Sequence, residues 1–104
     1  MSTDAVARFP CDLAVSFRDG DGSEVDQVVI EITIGSTSDG RPLREIVVDD
    51  GTGGSRRLRL VDELAAAAPA NAVAFRRALL DGTGGLDALA SWKPTACEPD
   101  DPPT

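Results

Sequence analysis

The sequence contains no histidine and no tyrosine, and Lys93 is its only lysine. Histidine supplies most acid–base chemistry near neutral pH and much metal ligation, so Ser-His-Asp triads and histidine metal sites are excluded. Ten basic residues stand against 18 acidic ones, for a formal net charge of −8, which disfavours binding to nucleic-acid phosphates. We therefore expect no catalytic activity, cofactor, metal ion or nucleic-acid partner.

Long apolar runs are also missing. Stretches such as 65–69 and 28–30 are far shorter than the roughly 20 residues of a membrane-spanning helix. The first ten residues lack the basic and apolar regions of a signal peptide, so we expect a cytoplasmic protein that binds no membrane. Two reduced thiols, Cys11 and Cys97, are then the default, with a disulfide between them as the alternative. The Lys-poor composition, rich in Ala, Arg, Asp and Gly, suggests a GC-rich bacterial or phage gene.

The length of 104 residues suits one domain. We expect an α+β domain over 1–93 and an acidic, Pro-rich tail over 94–104 that is disordered unless a partner orders it. Charge is segregated along the chain, with a net charge of −7 over 1–50, +2 over 51–93 and −3 over 94–104. This favours either internal balancing of the two halves or two surfaces of opposite sign.

Alternating apolar residues predict four strands before residue 62. The second strand is the clearest, because the even-numbered residues of Val28–Ile34 are all apolar and β-branched. We expect these to face the core, and the odd-numbered residues of 29–33 to lie on the opposite, outer face. One apolar face is typical of an antiparallel sheet with a single covered side. The four strands are expected over 12–18, 24–34, 43–49 and 56–61.

Helical patterns begin at Asp62, where an acidic start leads into an Ala-rich segment that Pro69 should end. Helices are expected over 62–68, 70–80 and 86–92, with Gly82 stopping the second. The apolar stripe of the second helix consists of Ala72, Phe75, Ala78 and Leu79. The sequence thus predicts an α+β fold: an antiparallel four-stranded β-meander in the N-terminal half, covered on one face by two or three short C-terminal helices.

Two loop motifs invite a functional interpretation. The turn from Asp19 to Gly22 looks like a calcium loop, but an EF-hand needs Gly and Glu where this chain has Glu24 and Ile30. We interpret it as a hairpin turn, and keep Asp19 and Asp21 as candidate protein-binding residues. The sequence DGTGG occurs at 50–54 and again at 81–85, without the Lys and Ser/Thr of a phosphate-binding P-loop. We interpret it as repeated turn chemistry.

An arginine-rich span is the other candidate site. If the fourth strand lies beside the second helix, the arginines of this span would form a patch suited to carboxylates or phosphates. The alternative is that they are solvated charges that balance the acidic half of the chain. Glu31 and Glu45 are expected on outer faces, where they could pair with Arg57 or Arg59. The five arginines of the span are Arg56, Arg57, Arg59, Arg76 and Arg77.

Three functional hypotheses follow. The first is a non-catalytic protein–protein interaction module, a small acidic accessory, inhibitor or adaptor protein, because catalytic equipment is lacking and charge is segregated. Its partner would be another protein or a second copy of the chain in a homo-oligomer. The alternative is a structural assembly or virion subunit. A small ligand-binding domain or enzyme that uses Asp and Arg at a subunit interface is the third.

Trp92 is expected to anchor the core.

Overall fold

The computed structural model describes residues 5–49 and 53–95. It contains five strands, two α-helices and two short 3₁₀ turns. The strands are β1 (Ala5–Arg18), β2 (Glu24–Ser36), β3 (Pro42–Asp49), β4 (Ser55–Leu60) and β5 (Trp92–Pro94). The helices are α1 (Asp62–Ala67) and α2 (Ala72–Asp81), and the 3₁₀ turns are Thr83–Gly85 and Leu89–Ser91.

All five strands form one antiparallel sheet in the order of the chain, β1-β2-β3-β4-β5. The α+β class and the antiparallel meander are confirmed. The strand count was wrong, because β5 returns after the helices and adds a fifth strand beside β4. No helix among residues 5–49 and 53–95 has the length and apolarity needed to cross a membrane.

The first strand begins seven residues earlier than the alternation at 12–18 predicted. It is an edge strand, where a proline such as Pro10 is tolerated because its missing N–H is not needed by a neighbour. The pairing with β2 shifts between Pro10 and Leu13, so that Cys11 and Asp12 together stand opposite one residue of β2. This bulge hid the first half of the strand from a period-two search.

The predicted core face of β2 was wrong in its first half. Val29 pairs with Val48 and Glu31 with Val47, which leaves Ile30 as an extra residue between two matched pairs. An extra residue reverses the side-chain alternation, so Val29 is fully buried while Val28 and Ile30 remain 36% and 39% exposed. From Ile32 onward the prediction holds, with Ile32 and Ile34 buried.

The first two helices lie close to their predicted positions. Ala68 is extended (φ −77°, ψ 153°) ahead of Pro69 and ends α1. The Asn71 side chain accepts from the N–H groups of Val73 and Ala74 and caps α2. Gly82, in the left-handed conformation, follows the last turn and donates its N–H to Ala78 O.

The predicted third helix over 86–92 is wrong. The segment forms 3₁₀ turns and then enters β5, because Gly84 and Gly85 both have positive φ and leave few residues before Pro94. This is the second DGTGG copy, which follows α2 as a turn; the first copy lies partly outside the described residues.

The core lies between the sheet and its helical cover. Phe75, Ala78 and Leu79 of α2 pack with the inward residues of all five strands. Trp92 is 4% exposed, donates its indole N–H to Leu86 O at 2.8 Å and meets the Phe75 ring edge-on at 6.4 Å. It is a core anchor, as predicted. The strand residues of the core are Leu13, Val15, Phe17, Val29, Ile32, Ile34, Ile46, Val48, Leu58, Leu60 and Trp92.

Candidate protein-binding face

The outer face is the face of the sheet opposite the helices. Alternation along β4 buries Leu58 and Leu60 toward the helices and turns Arg57 and Arg59 outward. Cross-strand pairing then aligns one residue from each strand in a single row on this face. The row consists of Arg8, Thr33, Glu45, Arg59 and Lys93.

Glu45 organises the centre of this face. Its side chain is 6% exposed, Oε1 lies 3.2 Å from Nη1 of Arg57, and Oε2 lies 2.6 Å from Nη2 of Arg59. Arg59 Nε also donates to Oε2 at 2.7 Å. A carboxylate with so little exposure needs such partners to remain charged. The sequence allowed Glu31 and Glu45 to pair with Arg57 or Arg59, and Glu45 pairs with both arginines.

Two cations of β4 pair with this carboxylate, and a third lies on β5. Arg57 and Arg59 keep 31% and 44% of their side chains exposed, and Lys93 is exposed and directly opposite Arg59. We call Arg57, Arg59 and Lys93 the cationic cluster. Glu45, which pairs with Arg57 and Arg59, is buried beneath them, so the partly exposed arginines and Lys93 present positive charge here in a chain of net charge −8.

The other predicted arginines lie elsewhere. Arg56 pairs with Val48 in register and so lies on the helical side, at the exposed start of β4. Arg76 and Arg77 are exposed on α2, whose main strand contact is with β1, at the edge of the sheet far from β4 and β5. Arg57 and Arg59 therefore lie on one face of the sheet, and Arg56, Arg76 and Arg77 lie on the helical side. The sheet separates these two groups of the predicted five-arginine patch.

Glu31 also lies on the outer face, but on β2. It pairs with Val47, which in turn pairs with Arg57, so Glu31 and Arg57 are two strands apart, about 9 to 10 Å in backbone spacing. Asp49, at the end of β3, points to the same face one row further along. Both carboxylates border the cationic cluster.

The carboxylates of the acidic turn accept hydrogen bonds from N–H groups of the turn's own backbone. Asp19 Oδ1 accepts from Gly20 N at 2.7 Å, and Asp21 Oδ1 accepts from Ser23 N at 3.0 Å. The hydrogen bonds from Ser23 lower the pKa of Asp21 below its ordinary value. Within residues 5–49 and 53–95, no three or more Cys, Asp or Glu side chains are grouped as metal ligands would be.

Sequence reasoning missed Lys93 on the outer face and the burial of Thr33 there. Lys93 was placed after a helix, and its strand becomes evident only when β5 pairs with β4. Thr33 was assigned to an exposed position, yet it is 1% exposed, and its Oγ1 has no hydrogen-bond partner among the described residues. It is buried because it lies mid-row between Arg8 and Glu45.

Cys11 is a free thiol that donates to Val29 O at 3.2 Å. Burial raises the pKa of the Cys11 thiol, and the charge of Arg76 offsets part of that rise. A protonated thiol is a poor nucleophile. Cys97 lies outside the described residues, as does most of the predicted tail.

Comparisons with known proteins gave no match for this chain among protein families, curated proteins or solved structures.

Proposed function

We propose that this chain is a non-catalytic protein-binding module that recognises a carboxylate-rich segment of a partner protein on its outer face. Arg57, Arg59 and Lys93 would make the contacts. Guanidinium groups suit this task because they bind carboxylates through paired N–H donors, and arginine is enriched in protein interfaces.

The observation that supports the proposal is the position of Glu45. A buried carboxylate that holds two partly exposed arginines limits their side-chain freedom before any partner arrives. Immobilising a flexible side chain on binding costs about 0.5 to 1.5 kcal/mol. Two arginines held in advance reduce that cost, while part of each side chain stays exposed.

The overall charge of −8 opposes an acidic partner only at long range. At physiological ionic strength, charges are screened beyond about 8 Å, so the nearby cations dominate once the partner touches the outer face. Charge complementarity of this kind chiefly sets specificity and association rate. The segregated charge thus favours one docking face over the rest of the surface.

A fluorescein-labelled deca-glutamate peptide tests this by fluorescence anisotropy. We expect saturable binding that weakens at higher salt, and at least a tenfold loss of affinity in the Arg57→Gln/Arg59→Gln double variant. Because that change leaves Glu45 without its partners, Lys93→Glu is the second variant. Lys93 is exposed, so its substitution should leave stability intact while weakening binding several-fold.

The matched control is Arg76→Gln/Arg77→Gln, which removes the same charge from α2 on the other side of the sheet. It should change the affinity less than twofold. Equal losses in both double variants would indicate a nonspecific charge effect and overturn the proposal. So would a folded wild-type protein that fails to bind the peptide.

A further inference from the structure

The chain leaves the sheet beside the cationic cluster. Pro94 pairs with Leu58, and the next residue, Thr95, donates from both its N–H (3.0 Å) and its Oγ1 (3.3 Å) to the carbonyl oxygen of Arg57. The backbone of β5 is therefore held against β4 up to the residue directly opposite Arg57. Whatever follows Thr95 starts next to this arginine.

The following nine residues, 96–104, are acidic. They carry Glu98, Asp100 and Asp101 and no base. At roughly 3.3 Å per extended residue, the chain length allows the first of these acidic residues to reach about 10 Å from Thr95 and the last about 20 Å. Arg57 and Arg59 are successive outward residues of one strand, so both fall within this reach.

We propose that the acidic segment 96–104 binds the cationic cluster of its own chain and thereby competes with a partner for it. This rests on the proposed function in one respect, since the segment would regulate the same site. The segment resembles the partner chemistry inferred above, a short run of carboxylates. Its attachment at Thr95 makes the contact intramolecular.

Attachment decides the outcome of the competition. A ligand joined by a short linker experiences an effective concentration in the millimolar range. Weak ion pairs that would be negligible between separate molecules then become populated. A partner with more carboxylates, or with apolar contacts as well, would displace the segment, so the site would be shielded rather than blocked.

The full-length variant Glu98→Gln/Asp100→Asn/Asp101→Asn tests the proposal. Two measurements apply: the Nε–H resonances of Arg57 and Arg59 in ¹H–¹⁵N spectra, and the affinity for the deca-glutamate peptide. We expect both resonances to shift relative to wild type, and the peptide to bind at least threefold more tightly. The wild-type resonances should not depend on protein concentration, and raised salt should move them toward the variant positions.

A matched control, Glu24→Gln/Glu63→Gln/Asp81→Asn, removes three exposed negative charges from the start of β2 and from the two helices. It should leave the Arg57 and Arg59 resonances unchanged and raise the affinity less than the tail variant does. Unchanged resonances in the tail variant would overturn the inference, as would concentration-dependent shifts, which indicate binding between copies. If the resonances shift but the peptide binds neither protein, the proposed function fails while the intramolecular contact stands.

Discussion

Single residues of this protein take their roles from the strand beside them. Glu45 occupies an outward position of β3, where the sequence pattern predicts a solvated acid, yet its side chain is 6% exposed because Arg57 and Arg59 lie over it. Glu31, an acid on the same face, lies two strands from Arg57 and remains half-buried. The neighbouring side chains, rather than the residue type, decide which acid is buried and pairs with arginines.

Glu45→Gln should therefore destabilise the fold. The amide keeps the shape but loses the charge and directs N–H donors toward an arginine. Losing one partner of a buried pair costs about 3 to 5 kcal/mol; here the arginines can rehydrate, so we expect about 1 to 3 kcal/mol in the free energy of unfolding, measured with urea. Glu31→Gln is the matched control, with an expected loss under about 0.5 kcal/mol. Similar losses in both variants would contradict the organising role of Glu45.

At the scale of elements, the end of α2 is tied to the end of β1. Asp87, which follows the 3₁₀ turn after α2, accepts two hydrogen bonds from Arg18, from Nε at 2.9 Å and from Nη2 at 3.0 Å. Arg18 N also donates to Asp87 O, and Arg18 bridges to Ala88. Gly82 makes this close approach possible, because a Cβ there would lie 2.9 Å from the Asp87 carboxyl group.

Two glycine variants separate backbone strain from this contact. Gly82 and Gly84 share a φ of 69°, but a Cβ on Gly84 meets nothing within 4 Å. Gly84→Ala should cost only the strain of a left-handed residue, about 1 to 2 kcal/mol. Gly82→Ala should cost more, because it also displaces the carboxylate that Arg18 holds. Thermal unfolding compares them, and equal melting temperatures would show that the Arg18–Asp87 contact contributes nothing.

At the scale of the whole molecule, Arg44 joins the sheet to the helical layer. It is 6% exposed, and its guanidinium donates to Pro69 O (3.1 Å), Gly35 O (3.0 Å) and Leu43 O (2.9 Å). Burial lowers the pKa of Arg44 from its ordinary value, yet the side chain stays charged because that value is so high. Three backbone carbonyl groups thus accept hydrogen bonds from this buried cation.

Arg44→Met should therefore loosen the contact between the layers. Methionine fills the space and removes a desolvated charge, but it leaves three carbonyls without their donor. We expect a net loss of about 2 kcal/mol in the free energy of unfolding, since hydrogen bonds to charged groups contribute about 1.5 to 3 kcal/mol each and part is regained on removing the charge. Arg41→Met is the control. Arg41 is an exposed arginine in the loop before β3, and its substitution should change the free energy of unfolding by under about 0.5 kcal/mol. Wild-type stability of the Arg44→Met protein would contradict the claim that Arg44 stabilises the contact between the sheet and the helical layer.

The sequence by itself determined the period of β3, β4, α1 and α2. Period-two spacing of large apolar residues identified β3 and β4, with Ile46, Val48, Leu58 and Leu60 facing inward. Pro69 and Gly82 marked helix ends through steric effects that act within a few residues. The pairing of Glu45 with Arg57 and Arg59 was also accessible, because facing residues on neighbouring strands of a meander can be paired from alternation alone.

Only the tertiary structure decided what depends on register and on contacts far apart in the chain. The bulge at Ile30 exchanged Val28 and Ile30 for Val29 in the core, and a single inserted residue leaves no mark on a run of β-branched side chains. The fifth strand exists because Trp92 finds its core position beside β4, more than 30 residues earlier in the chain. Lys93 joins the outer face for the same reason, while Arg76 and Arg77 are excluded from it because the sheet stands between. Local propensity acts over a few residues, whereas faces and sites are assembled by packing.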